Sequence, residues 1–195
     1  MEEIRRDLMT EKEKMLKGLQ YNSSDKELLK ERMEAKKKVY VFNHTLPEEE
    51  EKRVEILKTL FGEVGKNIYM EPPIRCDYGY NMKIGDNFYA NYNCCLLDCM
   101  PIVIGNNVWF GPNVSIFTAS HPIEPELRLQ NLEIDKPITI EDNVWIGGGS
   151  IINPGVTIGK NSVIGSGSVV TKNIPENCVA VGNPCKVVKK MDNKE

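Results

Sequence analysis

Aliphatic side chains recur at every sixth position through the second half of this chain: Ile140, Ile146, Ile152, Ile158, Ile164 and Val170. The intervening residues read IEDNVW, IGGGSI, INPGVT, IGKNSV, IGSGSV and VTKNIP, six consecutive units without a slip. Earlier copies start at Ile104 (IGNNVW) and Phe110 (FGPNVS), and weaker ones at Ile84 (IGDNFY) and Ile68. A six-residue period is too short for a helix pair. It is also too short for a sandwich, whose turns fall every eight to twelve residues or so. It specifies a parallel β-helix, in which each unit supplies a short strand and a corner. The leading aliphatic points inward, and the Gly and Asn that follow are expected at corners that need positive φ. A coil buries its inward side chains only against neighbouring coils, so stability accumulates along the stack and the ends need caps.

The first third of the chain has a different character. Residues 1–60 hold 14 acidic and 14 basic side chains, against 14 and 11 in the remaining 135. Ser24 and Glu27 fit a capping box opening a helix with Leu28, Leu29 and Met33 on one side. Thr45, Pro47 and Glu48 to Glu51 mark a second helix start, followed by Val54, Leu57, Leu60 and Phe61 at helical spacing, with Gly62 as its expected C-terminal cap. The chain therefore divides into a helical segment over 1–62, a β-helix over 63–189 and a tail over 190–195. The helical segment is expected to cover one end of the stack.

The repeat is interrupted once, between Ile116 and Ile138, by FTASHPIEPELRLQNLEIDKP. A long irregular excursion at about 117–137 in a regular fold points to function. It carries His121, one of two histidines in the protein; the other, His44, precedes the second helix and reads as a local cap or packing residue.

Composition excludes several classes. A net charge of −3 gives no basic face for nucleic acid. No apolar run approaches the roughly 20 residues of a membrane helix, and the N-terminal MEEIRR has no apolar core, so a cytoplasmic protein with neither nucleic-acid nor membrane partners is expected. Cys76, Cys94, Cys95, Cys99, Cys178 and Cys185 contain no C-x-x-C pair and no neighbouring histidine pair to close a zinc site, so they are read as reduced structural thiols and no metal is expected.

Several segments resemble the maltose and galactoside O-acetyltransferases of the hexapeptide-repeat superfamily. They are EKEKMLKGLQY at 11–21, FNHT at 42–45, EPPIRCDYGYN at 71–81, NFYANYN at 87–93, TASHP at 118–122, INPGVTIG at 152–159 and GNPCKVV at 182–188. The resemblance spans nearly the whole chain. It implies a left-handed parallel β-helix, a homotrimer with active sites between subunits, and direct acetyl transfer from acetyl-CoA to a sugar hydroxyl. His121 matches the family's catalytic base, and imidazole suits that task. Glu133 is implied as its orienting partner, with a surface glutamate as the competing reading. Asn91 is implied to contact the acceptor or stabilise the transition state, although a corner asparagine is also expected there. Asp77 would offer a carboxylate for paired sugar hydroxyls, and Tyr89 and Asp98 would complete a polar acceptor cleft, although each reads equally as a scaffold residue. Asp77 stands where galactoside enzymes carry serine, which leans the reading toward maltose or glucose.

For acetyl-CoA the resemblance implies Gly148, Ser166, Thr171 and Lys172 along adjacent coils, and Trp145 beside the pantetheine arm or capping a coil. Lys186 and Lys189 stand where galactoside enzymes carry arginines for the nucleotide phosphates. Lysine keeps the charge and loses the bidentate geometry, and a solvated basic tail of Lys186, Lys189, Lys190 and Lys194 is the competing reading. Three other readings compete: a hexapeptide enzyme for a different acceptor, a non-catalytic β-helix scaffold, and a zinc-dependent carbonic anhydrase. The two histidines argue against the last, and the intact ASHP and YANYN argue against the scaffold.

Overall fold

The computed structural model describes residues 8–191. Strands of two or three residues recur around a triangular prism, and each inward residue lies in register above its counterpart one coil away. Val64, Ile84, Ile104, Ile140 and Ile158 line the first face. Met70, Ala90, Phe110, Ile146, Ile164 and Ala180 line the second. Cys76, Leu96, Ile116, Ile152 and Val170 line the third. Pairing is parallel throughout these stacks, and the coil is a left-handed β-helix. From Ile84 to Val170 every one of these inward residues is at most 4% exposed. Each buried Ile or Leu contributes about 1.5–3 kcal/mol, available only when its neighbours above and below are in place.

Corners at positive φ take both residue types, as expected: Gly149 and Gly167 stand at 70° and 71° where other coils carry Asn93 and Asn113. Among the described residues nine non-glycine residues have positive φ, and all are asparagines, between 55° and 63°. At one corner they also form a ladder: Asn67, Asn87, Asn107, Asn143 and Asn161 each donate a side-chain amide to the next, ending at Asn177, over 2.7–3.0 Å. The glycine directly after the leading aliphatic answers a different need. At Gly85 a Cβ would lie 2.7 Å from the Gly105 backbone of the next coil, so only glycine lets the coils approach.

Among the described residues three helices precede the coils: α1 (Glu11–Leu16), α2 (Lys26–Asn43) and α3 (Glu50–Leu60). Thr10 and Glu13 close a capping box on α1. The cap of α2 is Asp25 rather than Ser24; its carboxylate accepts the N–H of Glu27 at 2.9 Å. Its buried stripe is Leu28, Ala35, Val39 and Phe42, while Leu29 and Met33 are about half exposed. Helix α3 begins three residues beyond Pro47, because Thr45 has another partner: its Oγ1 accepts Nε of the buried Arg53 at 2.8 Å. Gly62 is not a left-handed cap. A Cβ there would meet the Tyr80 carbonyl at 2.2 Å, so this glycine is set by a close approach. Ala35, Val39, Phe42, Leu57, Leu60 and Phe61 join the same apolar cluster as Ile68, Met70 and Ile74, so α2 and α3 cover the first coil. At the other end Lys186–Lys190 folds back antiparallel on Cys178–Val181. Among the described residues no helix is long and apolar enough to cross a membrane. The MEEIRR segment and Lys194 lie outside the described residues.

The asparagine ladder makes a specific stability prediction. Asn107→Ala places a Cβ-bearing side chain without a compensating amide at a left-handed φ and removes two ladder bonds. The expected loss is about 2 kcal/mol, or roughly 4–8 °C in melting temperature. Asn107→Gly keeps the φ and should lose less. Thermal melts at matched concentration check the order; a glycine variant less stable than the alanine variant overturns this account.

Candidate active site

The coil is six residues per face except at one corner. Between the third face and the first, the spacing is eight residues from Cys76 to Ile84, eight from Leu96 to Ile104, and twenty-four from Ile116 to Ile140. The extra residues stack at this one corner, and the candidate chemistry gathers there. Thr118 starts the excursion: fully buried, it donates to the Leu97 carbonyl at 2.7 Å and accepts from Met100 N–H at 2.9 Å. Two antiparallel contacts then form a neck, Lys136 N–H to Thr118 O and Ile134 N–H to Ser120 O, each 3.1 Å. Asp135 closes it by accepting Ser120 N–H at 2.8 Å. Beyond the neck, the short helix α4 (Pro125–Arg128) leads back to Leu132–Glu133. These two residues pair antiparallel with Tyr21–Asn22 from the N-terminal segment.

His121 sits just past the neck, exposed, with Nδ1 3.4 Å from the carbonyl of Leu132. A carbonyl only accepts, so this contact is a hydrogen bond in the tautomer that carries the proton on Nδ1. Glu133, expected to orient His121, instead accepts the Tyr21 hydroxyl at 2.7 Å, and the orienting group beside the imidazole is backbone. The same hydroxyl lies 2.8 Å from Asp135 Oδ2. A phenol has one hydrogen and cannot donate to two carboxylates, so both short contacts are hydrogen bonds only if one acid is protonated. Burial pushes the Asp135 carboxyl up to about 6, against the N–H bond from Ser120 that favours its charged form. Burial likewise holds the Tyr21 phenol well above its ordinary range, helped by Cys99 and Asp135 nearby.

Asp77 stands one step along the same corner. Its Oδ2 accepts from Cys99 Sγ at 3.4 Å, and burial raises its carboxyl despite that bond and the nearby Arg32 guanidinium. Arg32 donates to the Tyr78 hydroxyl and to the Ser23 carbonyl, both at 2.5 Å. Cys99, Glu133 and Asp135 converge within 4.8 Å, but Tyr21 and Asp77 already partner them. Asp98, expected in the acceptor cleft, is fully buried. Its carboxylate accepts the N–H groups of Asp77, Tyr78 and Asn81 at 3.1, 2.8 and 3.3 Å, and so shapes the turn that presents Asp77.

A groove of about 630 Å³ runs from Ser120, His121 and Ile134 past Asn153 and Pro154 to Thr171, with Lys172 next in the chain. The other implied residues lie elsewhere. Asn91 follows Ala90 at the corner before the third face, its side chain accepting Tyr92 N–H at 2.7 Å. Gly148 and Ser166 stack at that same corner, where Gly167 N–H donates to Gly148 O at 2.9 Å. Tyr89 and Trp145 point outward from the second face in one column with Tyr69 and Trp109; the two tyrosine rings stack at 5.9 Å. Lys186 and Lys189 are exposed on the terminal hairpin. One chain thus carries His121, Asp77 and Thr171 on one edge of the third face, and Asn91, Gly148 and Ser166 on the other.

The coils, the corner excursion and its histidine define a hexapeptide-repeat acyltransferase. Residues 137–172 match the family model for bacterial transferase hexapeptide (six repeats), and residues 14–65 match the maltose acetyltransferase hexapeptide capping motif. The chain is 54% identical to a putative acetyltransferase of Dictyostelium discoideum, over 95% of this chain and 97% of that one. Among solved structures, a maltose O-acetyltransferase from Clostridium difficile 630 superposes with TM-score 0.94 at 59% identity, covering 95% of this chain and 99% of that one. A galactoside acetyltransferase in complex with coenzyme A gives 0.92 at 45% identity, covering 95% and 92%. The chain belongs to the maltose and galactoside O-acetyltransferase family.

Tyr21, Arg32, Cys99 and Asp135 escape the sequence reading. The eight-residue spacings flag the corner of Cys99, whereas nothing local marks Tyr21, whose partners lie 112 and 114 residues away.

The Asp135 environment predicts a pH dependence of stability. Its carboxyl titrates near 3.8 when unfolded and near 6 when folded, so the native state binds the proton more tightly. The resulting stabilisation is complete below about pH 4 and is lost as pH rises through about 6. In Asp135→Asn the fall in urea-unfolding free energy between those two pH values should be smaller than in wild type. An equal fall in both proteins would overturn the assignment.

Proposed function

We propose that this protein transfers an acetyl group from acetyl-CoA to a sugar hydroxyl, with His121 as general base. The observation that carries the reading is the contact of His121 Nδ1 with the Leu132 carbonyl at the edge of the groove, which favours the tautomer that leaves Nε2 unprotonated. In the reaction, Nε2 takes the proton of the acceptor hydroxyl as its oxygen attacks the thioester carbonyl. The tetrahedral intermediate collapses with cleavage of the carbon–sulfur bond, and the imidazolium returns the proton to the departing thiolate. No covalent enzyme intermediate and no metal enters this scheme.

The groove along Asn153, Pro154 and Thr171 offers a place for a pantetheine-like arm running away from His121. Lys172, Lys186 and Lys189 would meet the nucleotide phosphates as point charges. Asp77 is the acceptor-side carboxylate, suited to paired sugar hydroxyls of the maltose or glucose type. Glu133 supports the His121 loop through Tyr21.

The edge bearing Asn91, Tyr89, Trp145, Gly148 and Ser166 completes the site when it comes from a neighbouring copy in a homotrimer. Two observations support that assembly. The two edges lie on opposite sides of one face in a single chain, and the loop exposes Ile123 and Leu129 by 88% and 85%. Free thiols throughout fit a cytoplasmic setting.

Free-thiol release from acetyl-CoA against glucose, maltose, a galactoside, serine and chloramphenicol tests the acceptor. His121→Ala should lower kcat about 10²–10⁴-fold with the melting temperature unchanged, since the ring is exposed. Retained activity in that variant sinks the mechanism, and turnover stimulated only by a non-sugar sinks the acceptor class. Mixing and reassembling inactive His121→Ala and Asn91→Ala chains should restore roughly a quarter of wild-type activity if each site draws on two copies. No recovery places both residues in a single-chain site.

A further inference from the structure

Tyr21 lies outside the β-helix, in the segment between α1 and α2, yet it is 1% exposed and its hydroxyl reaches the catalytic loop. Three sets of bonds converge there. Tyr21 and Asn22 pair antiparallel with Glu133 and Leu132, and Ser23 N–H donates to Asn131 O at 3.1 Å. The phenol bridges Glu133 and Asp135 at 2.7 and 2.8 Å. Asp135, through its other oxygen, holds the backbone N–H of Ser120, the residue before His121.

The consequence lies at Leu132. Its carbonyl is what faces His121 Nδ1, and the direction of that carbonyl is set by the strand that Leu132 forms with Asn22. Beyond the neck the intervening 121–131 is mostly exposed, with only Pro122 buried, so the pairing with Tyr21 and Asn22 is the main hold on the returning strand. A loop anchored only at its neck would let Leu132 rotate, and the imidazole would then sample the tautomer with the proton on Nε2, which cannot act as base. We propose that Tyr21 is a positioning residue for the acetyl transfer: by bridging Glu133 and Asp135 it fixes the Leu132 carbonyl against His121, and so fixes the productive tautomer. The N-terminal segment is thus part of the catalytic apparatus as well as the end cap of the coil. This inference rests on His121 being the base.

The test is Tyr21→Phe, which keeps the ring and removes only the bridging hydroxyl. Nitrogen NMR of histidine-labelled protein reads the tautomer directly. There are two histidines, and the signals missing from His121→Ala identify those of His121. In wild type near neutral pH the proton should sit on Nδ1, and in Tyr21→Phe a mixture of tautomers should appear. In parallel, kcat should fall about 10-fold or more, while KM for acetyl-CoA stays within about twofold, because the groove past Asn153 to Thr171 does not touch Tyr21. A merely structural tyrosine would lower the melting temperature without mixing the tautomers. A folded Tyr21→Phe with wild-type kcat and an unchanged tautomer overturns the proposal. Should that variant not fold, the wild-type spectrum still decides: a proton on Nε2 overturns it. Activity retained in His121→Ala removes the general-base reading itself, whereas an inactive His121→Ala beside a fully active Tyr21→Phe removes only the positioning role.

Discussion

A single coil of this protein has no interior of its own. Ile104 is buried because Ile84 lies on one side of it and Ile140 on the other, in parallel register. The register is held twice over, by the backbone bonds of the faces and by the asparagine ladder along one corner. A slip of one residue would turn every aliphatic outward, and it would also break the ladder, so both constraints select the same alignment. Ends of the stack lack one neighbour, and the helices that bury Val39, Phe42, Leu57 and Leu60 supply it at the first coil.

Because the faces and the ladder at another corner set the register, the corner between the third face and the first is free to vary in length. The protein uses that freedom at one corner, where the spacing grows from six residues to eight and then to twenty-four. Stacked insertions leave the inner prism undisturbed while building a polar structure on its outside. Asp98 shows how closely the two are joined: buried at the coil edge, it gathers three backbone N–H groups and thereby turns Asp77 outward. Thr118 and Asp135 do the same for the longer excursion. The chemistry is thus mounted on regular scaffold through a few buried polar side chains, each satisfied by backbone.

The fold was legible in the sequence because its determinant is local and repeated: one aliphatic every six residues, seen in consecutive units. The caps were less legible. Ser24 and Asp25 both suit an N-terminus, and only the structure shows Asp25 holding Glu27 N–H. The roles of Gly and Asn were merged because both residue types accept positive φ, whereas the glycines after the aliphatics answer to coil-to-coil distance, which sequence does not display. His121 and its loop stood out as a break in a regular pattern. Asp98 and Glu133 were misread in detail, since an acid near a histidine does not reveal whether it faces solvent, backbone or a tyrosine from another segment.

That last ambiguity bears on how the base is kept in order. A carboxylate placed against Nδ1 would fix the tautomer, but it would also add a full negative charge to a corner that already holds Asp77, the proposed acceptor-side carboxylate. The structure uses a neutral carbonyl at that point instead and sets the acids Glu133 and Asp135 behind it, with the Tyr21 phenol between them. Sharing a proton among these three groups leaves fewer charges in the buried cluster than two free carboxylates would, which is consistent with the raised Asp135 carboxyl. The cost is reach: a carbonyl orients the imidazole only if its own strand is held, and the holding strand belongs to the N-terminal segment. With His121 as the proposed base, catalysis would be coupled to the docking of a segment some hundred residues earlier, and the end cap and the active site would form one structural unit.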